Sequence, residues 1–332
     1  MQPPVLRAAR AYAVCIAFMC VWGGSAAFGD RQGDAPHRLH DAAALPVFEA
    51  GAARAKQLDV VIAGCARDIG PHLEMVHGRL TMLKALFRSA TLLIFENGST
   101  DGTRQELEHW HSTGLIDVLL GWDLSHEGRT AALAQARNAL LGRAAELEQA
   151  GLGASGGRYD YYIAIDLDEV IAKLTPAAVH SNWSDAALAV PWSVACANQP
   201  STGYYDLWAL RTLDAWMPGD CLECACREER DSHLTKAQAY DKCVMRAARQ
   251  PYSATISRDR PWVEVRSCFG GMAIYRWDKV AGCRYKGTRT GGCLTEVCEH
   301  VSFNKCVARH VRTDGSAAGS SGVYINPAFE NS

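Results

Sequence analysis

Between residues 58 and 172, four short apolar runs alternate with amphipathic stretches. The runs are LDVVIAG (58–64), ATLLIFE (90–96), IDVLLG (116–121) and the Tyr161–Ile165 segment of YDYYIAIDLDEV. Each is short, β-prone and bounded by a polar turn, as a buried strand is. The stretch from Pro71 carries Leu73, Val76, Leu80, Leu83, Leu86 and Phe87 at helical spacing, with Pro71 suited to a first turn. A second helix is predicted over 99–114, from capping residues to Gly114. A third, rich in Ala and Leu, is predicted over 129–149. The order β-α-β-α-β-α-β predicts an α/β fold with a mostly parallel sheet covered by helices. Such sheets bind ligands at the carboxyl ends of their strands. The polar motifs of this chain follow Gly64, Phe95 and Ile165, at those ends.

The ends of the chain read differently. Arg7 and Arg10 precede an uncharged apolar run over 11–28. That run reads as a signal peptide cleaved after Ala27, or as a retained anchor with a cytoplasmic N-terminus and a lumenal body. Residues 29–57 read as a stem or linker, 58–172 as a nucleotide-sugar-binding half, 173–312 as a Cys-rich acceptor-binding half and 313–332 as a flexible tail.

Composition narrows the classes. The 332 residues are 48% hydrophobic and 21% charged, which suits one large domain with appendages. A formal charge of -2 lacks the basic excess of a nucleic-acid binder. Of 13 cysteines, 11 lie outside the leader. In an exported chain these predict disulfides rather than zinc, although CLECAC (221–226) also resembles a zinc ligand run. Eleven is odd, and Cys65, at the end of a strand, is the expected free thiol.

Asp166 and Asp168 stand two apart at a strand's carboxyl end. Close carboxylates raise each other's pKa unless a cation neutralises them, and a hard ion such as Mn²⁺ or Mg²⁺ suits them. A solvated strand end would show the same acids. Glu96 is the first polar residue after a buried strand, placed to accept from a ribose or a base edge. Gly98 permits a tight turn, and Ser99, Thr100 and Asp101 can cap the next helix. Arg129 and Arg137, eight apart, fall near one helix face with Asn138 beside them. They are placed either to meet phosphate or to sit in solvent.

These motifs, in this order, resemble the nucleotide-sugar glycosyltransferases of the GT-A fold, above all the large family 2 group. The resemblance covers residues 58 to 172, through Glu96-Asn-Gly-Ser-Thr-Asp-Gly-Thr103, Ala136-Arg-Asn138 and Asp166-x-Asp168. GYYDLWALR (203–211) and VRSCFGGMAIYRW (265–277) resemble the fungal capsule-associated mannosyltransferase family. The resemblance implies α-mannosyl transfer from GDP-mannose to a glycan or glycoprotein acceptor, with Mn²⁺ or Mg²⁺, and the leader and cysteines put that activity in the lumen of the Golgi or secretory pathway. A type II membrane anchor follows if the leader is retained. It implies metal ligation by Asp166, Asp168 and a late His300. Glu96, Asp101, Arg67, Arg129, Arg137 and Asn138 would hold the nucleotide, and Gly270 and Gly271 would let the backbone approach the sugar. Asp206, with Trp208, would line the acceptor pocket. Glu299 would act as a general base or steady a sugar cation. The Cys-rich block 219–245 and TEVCEHVSFN (295–304) depart from the family pattern, and the Glu-Asp pair of many inverting members is missing. A nucleotidyltransferase and a non-catalytic sugar-binding protein remain alternatives. Two sequons stand at Asn97 and Asn182. A glycan on Asn97 would block the nucleotide loop, so Asn97 is expected to be unmodified, whereas Asn182, near a predicted turn, is open to modification.

Overall fold

The computed structural model describes residues 49–153, 157–199, 204, 206–214, 217, 219–245, 256–313 and 319–331. The leader and most of the stem lie outside these residues. Among the described residues no helix is long and apolar enough to cross a membrane.

The four strands expected from the sequence are β1 (Asp59–Ala66), β2 (Ser89–Glu96), β3 (Val118–Gly121) and β4 (Tyr161–Asp166), all parallel. Helices α1 (Leu73–Leu86), α2 (Thr103–Ser112) and α3 (Arg129–Gln149) connect them. The C-terminal half extends the same sheet with β5 (Val194–Asn198), β6 (Arg211–Thr212), β7 (Val263–Ser267), β8 (Met272–Arg276) and β9 (Val323–Glu330). Its order is β3-β2-β1-β4-β8-β5-β9-β7-β6, so one sheet runs through both halves of the chain. β8 enters antiparallel between β4 and β5. β9 lies in the stretch that the sequence reads as a flexible tail. It instead runs parallel to β5 as a buried interior strand, because its apolar VYI run is covered on both sides by β5 and β7.

Strand alternation sorts side chains to two faces. Val61, Ala63, Leu93, Phe95, Tyr162 and Ala164 pack under α3 and a C-terminal helix, α5 (Glu299–Thr313). Ile62, Leu92, Ile94, Ile163 and Ile165 pack under α1 and α2. The parity of β4 therefore directs Asp166 to the α3 face, alongside Cys65 at the tip of β1.

Among the described residues, four disulfides join Cys196 to Cys268, Cys224 to Cys243, Cys226 to Cys293 and Cys283 to Cys306. Cys65 is free, as expected, and so are Cys221 and Cys298. Cys221 opens helix α4 (Cys221–Asp231), whose Glu223 accepts from the backbone N–H groups of Cys293 and Leu294, each at 2.9 Å, and pairs with Arg227 and Arg289. Burial opposes that charge, but these donors hold the carboxyl down at about 2. The Cys226–Cys293 bond and Glu223 thus bolt α4 to the 287–297 loop.

Asn182 corrects the expectation of an accessible sequon. It is 0% exposed, donates to the Val179 carbonyl at 3.0 Å and accepts from Asn326 at 2.9 Å. Its amide is core structure, and a glycan has no route to it.

Candidate active site

Asp166 ends β4 on the α3 face, where Arg137 of α3 meets it. Arg137 is 2% exposed; its Nη2 donates to Asp166 Oδ1 at 2.8 Å and its Nε to Glu299 Oε1 at 3.1 Å. Its guanidinium lies 5.0 Å from the Phe269 ring centroid and 6.0 Å from that of Tyr285. Burial works against the cation, but the charges around it, Asp166 foremost, hold its pKa well above the ordinary value. Arg137 Nη1 is buried with no hydrogen-bond partner among the described residues.

Two more acids converge here. Asp206 accepts from Ala209 N at 3.0 Å and from Gly270 N at 3.4 Å. Burial pushes its carboxyl up to about 6, with Asp166 adding to the rise and the N–H donors opposing it. Asp168 accepts from Val170 N at 3.1 Å, capping a short 3₁₀ turn. Burial, then the neighbouring Asp166, pushes it up to about 6. Asp168 therefore feels the charge of Asp166, which is the condition a bound cation would relieve.

Gly270 and Gly271 form the turn from β7 to β8 behind these acids, with φ of 67° and 80°. A Cβ on Gly270 would stand 2.5 Å from the Ala197 carbonyl oxygen, and one on Gly271 2.6 Å from Val170 Cγ1. The Gly271 carbonyl accepts from Asp166 N at 2.8 Å, so this turn fixes the height of the aspartate loop. Gly271→Ala is expected to cost about 3 kcal/mol, combining left-handed backbone with overpacking. A urea titration that shows an unchanged midpoint would contradict that role.

His300 is not brought to the aspartate pair. Its ring stacks on Phe269 at 3.6 Å between centroids and stands edge-on to Tyr285 at 5.5 Å. Its Nε2 is 3.4 Å from Glu299 Oε1, and neither ring nitrogen has a hydrogen-bond partner among the described residues. Burial, with Arg137 beside it, holds the imidazole neutral. Among the described residues one trio of potential ligands has its atoms within 4.8 Å of one another: Cys283, Cys306 and His310. Two of its sulfurs are joined in a disulfide. Asp166, Asp168 and His300 are not such a group. Asp166 faces Arg137, Asp168 turns to its own cap, and His300 is held by the aromatic rings beneath.

Glu96, Asp101 and Asn138, also singled out from the sequence, are tied into the scaffold. Glu96 faces α2; its Oε1 accepts from Ser99 N at 2.5 Å and its Oε2 from Arg104 Nε at 2.8 Å, with Arg104 Nη2 at 2.7 Å. Burial opposes that charge, and Ser99 and Arg104 pull the carboxyl below its usual range. Asp101 accepts from Thr103 Oγ1 at 2.6 Å and from Gly70 N at 2.7 Å, tying the loop after β1 to the start of α2. Asn138 exchanges two hydrogen bonds of 2.9 Å with the backbone of Tyr285. Arg67 and Arg129 are exposed; Arg67 Nε lies 3.6 Å from Asp68. Sequence reasoning passed over Phe269 and Tyr285, the aromatic walls around Arg137. It also passed over Trp122 and Asp123 at the tip of β3, whose position right after a predicted strand was the available signal.

No protein-family model and no curated protein matches the chain. Among solved structures it is similar to the mannosyltransferase PcManGT from Pyrobaculum calidifontis in complex with GDP-Man and Mn²⁺, at 12% identity and a TM-score of 0.36, over 86% of this chain and 65% of that one. It is similar to S. aureus TarS 1–349 at 9% identity and 0.38, over 76% of this chain and 56% of that one. It is similar to mannosyl-3-phosphoglycerate synthase from Rubrobacter xylanophilus at 14% identity and 0.36, over 81% and 80%. The chain spans less than two thirds of the first two.

Proposed function

We propose that this chain is a metal-dependent glycosyltransferase. It would move a sugar, mannose from GDP-mannose by the motif resemblance, from a nucleotide donor to a glycan acceptor in the secretory lumen. The observation that carries the reading is the gathering of Asp166, Asp168, Asp206 and Arg137 at the carboxyl ends of the parallel strands β1 to β4, where such strands take their ligands. Four disulfides support the lumenal address.

The donor set suits a hard divalent ion, Mn²⁺ or Mg²⁺, held by Asp166 and Asp168 with diphosphate oxygens completing its shell. Bound there, the ion would neutralise the charge developing on the departing nucleoside diphosphate. Asp206 is the better placed base: it lies beside the glycine turn, and at neutral pH it is ionised and able to take a proton from an acceptor hydroxyl. Glu299 is 3% exposed and bound to Arg137, so it secures the guanidinium.

The test is nucleotide release by the full-length chain from GDP-mannose, GDP-fucose and UDP-sugars, with Mn²⁺ or chelator, at pH 7.5 and 5.5. Release from one donor that needs metal is expected. Asp168 must lose its proton to bind the ion, so apparent Mn²⁺ affinity should fall by up to about tenfold per pH unit below about 6. Absence of both release and metal-dependent nucleotide binding would overturn the reading.

A further inference from the structure

We infer that the donor's nucleobase is read by Trp122 and Asp123 at the tip of β3, and that the base they fit is guanine. The inference rests on the reading of this sheet edge as a nucleotide-sugar site, and it assigns the base to residues other than Glu96.

Both oxygens of Glu96 are already engaged within the scaffold. A carboxylate has about four lone-pair positions. Glu96 Oε1 accepts from Ser99 N and its Oε2 from Arg104 Nε, with Arg104 Nη2 paired to the same oxygen at 2.7 Å. The Ser99 oxygen in turn accepts from Asp68 N at 2.9 Å. Glu96 is thus the knot that ties the loops after β1 and β2 to α2, and a base edge would have to break it.

One strand further out, the chain presents the opposite situation. Trp122 is 47% exposed although the residues before it are strand. Its indole is edge-on to Phe95, 4.5 Å between centroids at 83°, so one aromatic contact fixes the ring while much of its surface stays open. Val118 and Leu120 pack on the α3 face, and Trp122 shares their parity. It therefore stands on the same face as Asp166. From β3 through β2 and β1 to β4 is three strand spacings, about 14 Å. A nucleoside diphosphate bridges such a span with its base on Trp122 and its phosphates at the aspartates.

Asp123 supplies the reading group. It is exposed, and Ser125, whose N–H donates to Oδ1 at 2.7 Å, occupies two of its acceptor positions at most. It also packs against the Gly98 turn, where a Cβ would meet Oδ1 at 3.2 Å, so the carboxylate is held in place. Guanine presents N1–H and N2–H side by side, a donor pair that a carboxylate accepts with both oxygens. Adenine presents no such pair, hypoxanthine one of the two donors, and uracil a single N–H on a smaller ring.

The experiment is calorimetric titration of the full-length chain, with Mn²⁺ present, by GDP, IDP, ADP and UDP. The variants are Trp122→Ala, Trp122→Phe, Asp123→Asn and Asp166→Asn. GDP is expected to bind tightest. Trp122→Ala should weaken GDP about tenfold, the scale of one base stacked on one aromatic ring, and Trp122→Phe should recover most of it. Asp123→Asn should remove the advantage of GDP over IDP. If Trp122→Ala and Asp123→Asn bind GDP like the native chain while Asp166→Asn loses metal-dependent binding, this inference falls and the glycosyltransferase reading stands. Tighter binding of UDP than GDP overturns the guanine assignment. No nucleotide binding by the native chain overturns both.

Discussion

Arg137→Ala is expected to destabilise the protein by about 3–5 kcal/mol, the cost of stripping the partner from buried charge. Arg137 is the cation shared by Asp166 and Glu299, and Glu299 lies with it inside the core. Removing the guanidinium leaves Glu299 buried without its counter-ion and opens a void between Phe269 and Tyr285. The measurement is a urea titration followed by far-ultraviolet circular dichroism. Arg137→Lys keeps the charge but not the fork that reaches two carboxylates, and should lose roughly 1–3 kcal/mol. Arg137→Met combined with Glu299→Gln removes both ends of the pair. It should recover part of the loss, because a neutral, filled core avoids the stranded charge. An Arg137→Lys variant as unstable as Arg137→Ala, with no recovery in the double variant, would show that shape rather than charge governs the position.

This position also shows how far the sequence could be read. The apolar runs and helical spacings of 58–172 predict the four parallel strands and three helices that form, because local pattern decides them. Arg137 could be placed on a helix face, but whether that face looked at solvent or at Asp166 depends on where α5 packs, and α5 lies more than 150 residues away along the chain. Glu96 stood out as an acid at a strand tip. What holds it are Ser99 and Arg104, which as sequence look like a cap and a surface arginine. The second half was less legible still. β5 (VACAN) and β8 (MAIYR) are short and buried on both faces, so neither shows alternation, and the antiparallel insertion of β8 leaves no trace in local composition. Disulfide pairing was out of reach for the same reason: Cys196, in β5, and Cys268, just past the end of β7, are 72 residues apart and meet only because β5 and β7 join one sheet.

Asp166 and Asp168, the two aspartates proposed to hold the metal, should separate by stability while failing together in function. Either Asp166→Asn or Asp168→Asn replaces a charged hard ligand with a neutral one. Metal-dependent nucleotide release should fall by about 10³-fold or more, since the ion's contribution amounts to several kcal/mol. Their effects on folding should differ. Asp166→Asn leaves an oxygen for Arg137 Nη2 but removes the charge that the buried guanidinium relies on, and should cost about 1–3 kcal/mol. Asp168→Asn keeps the cap on Val170 N. Because burial and Asp166 raise the Asp168 pKa to about 6, the folded state holds its proton more tightly than the unfolded chain does. The native carboxylate therefore costs stability as pH rises from about 4 to 6, and that cost persists at neutral pH. Asp168→Asn should thus be as stable as the native protein, or more so, at pH 7, with the difference vanishing near pH 4. Paired urea titrations at those two pH values test this directly. A stability loss for Asp168→Asn equal to that of Asp166→Asn would mean that the two carboxylates serve the fold alike, and would remove the reason for calling Asp168 a residue kept for its metal.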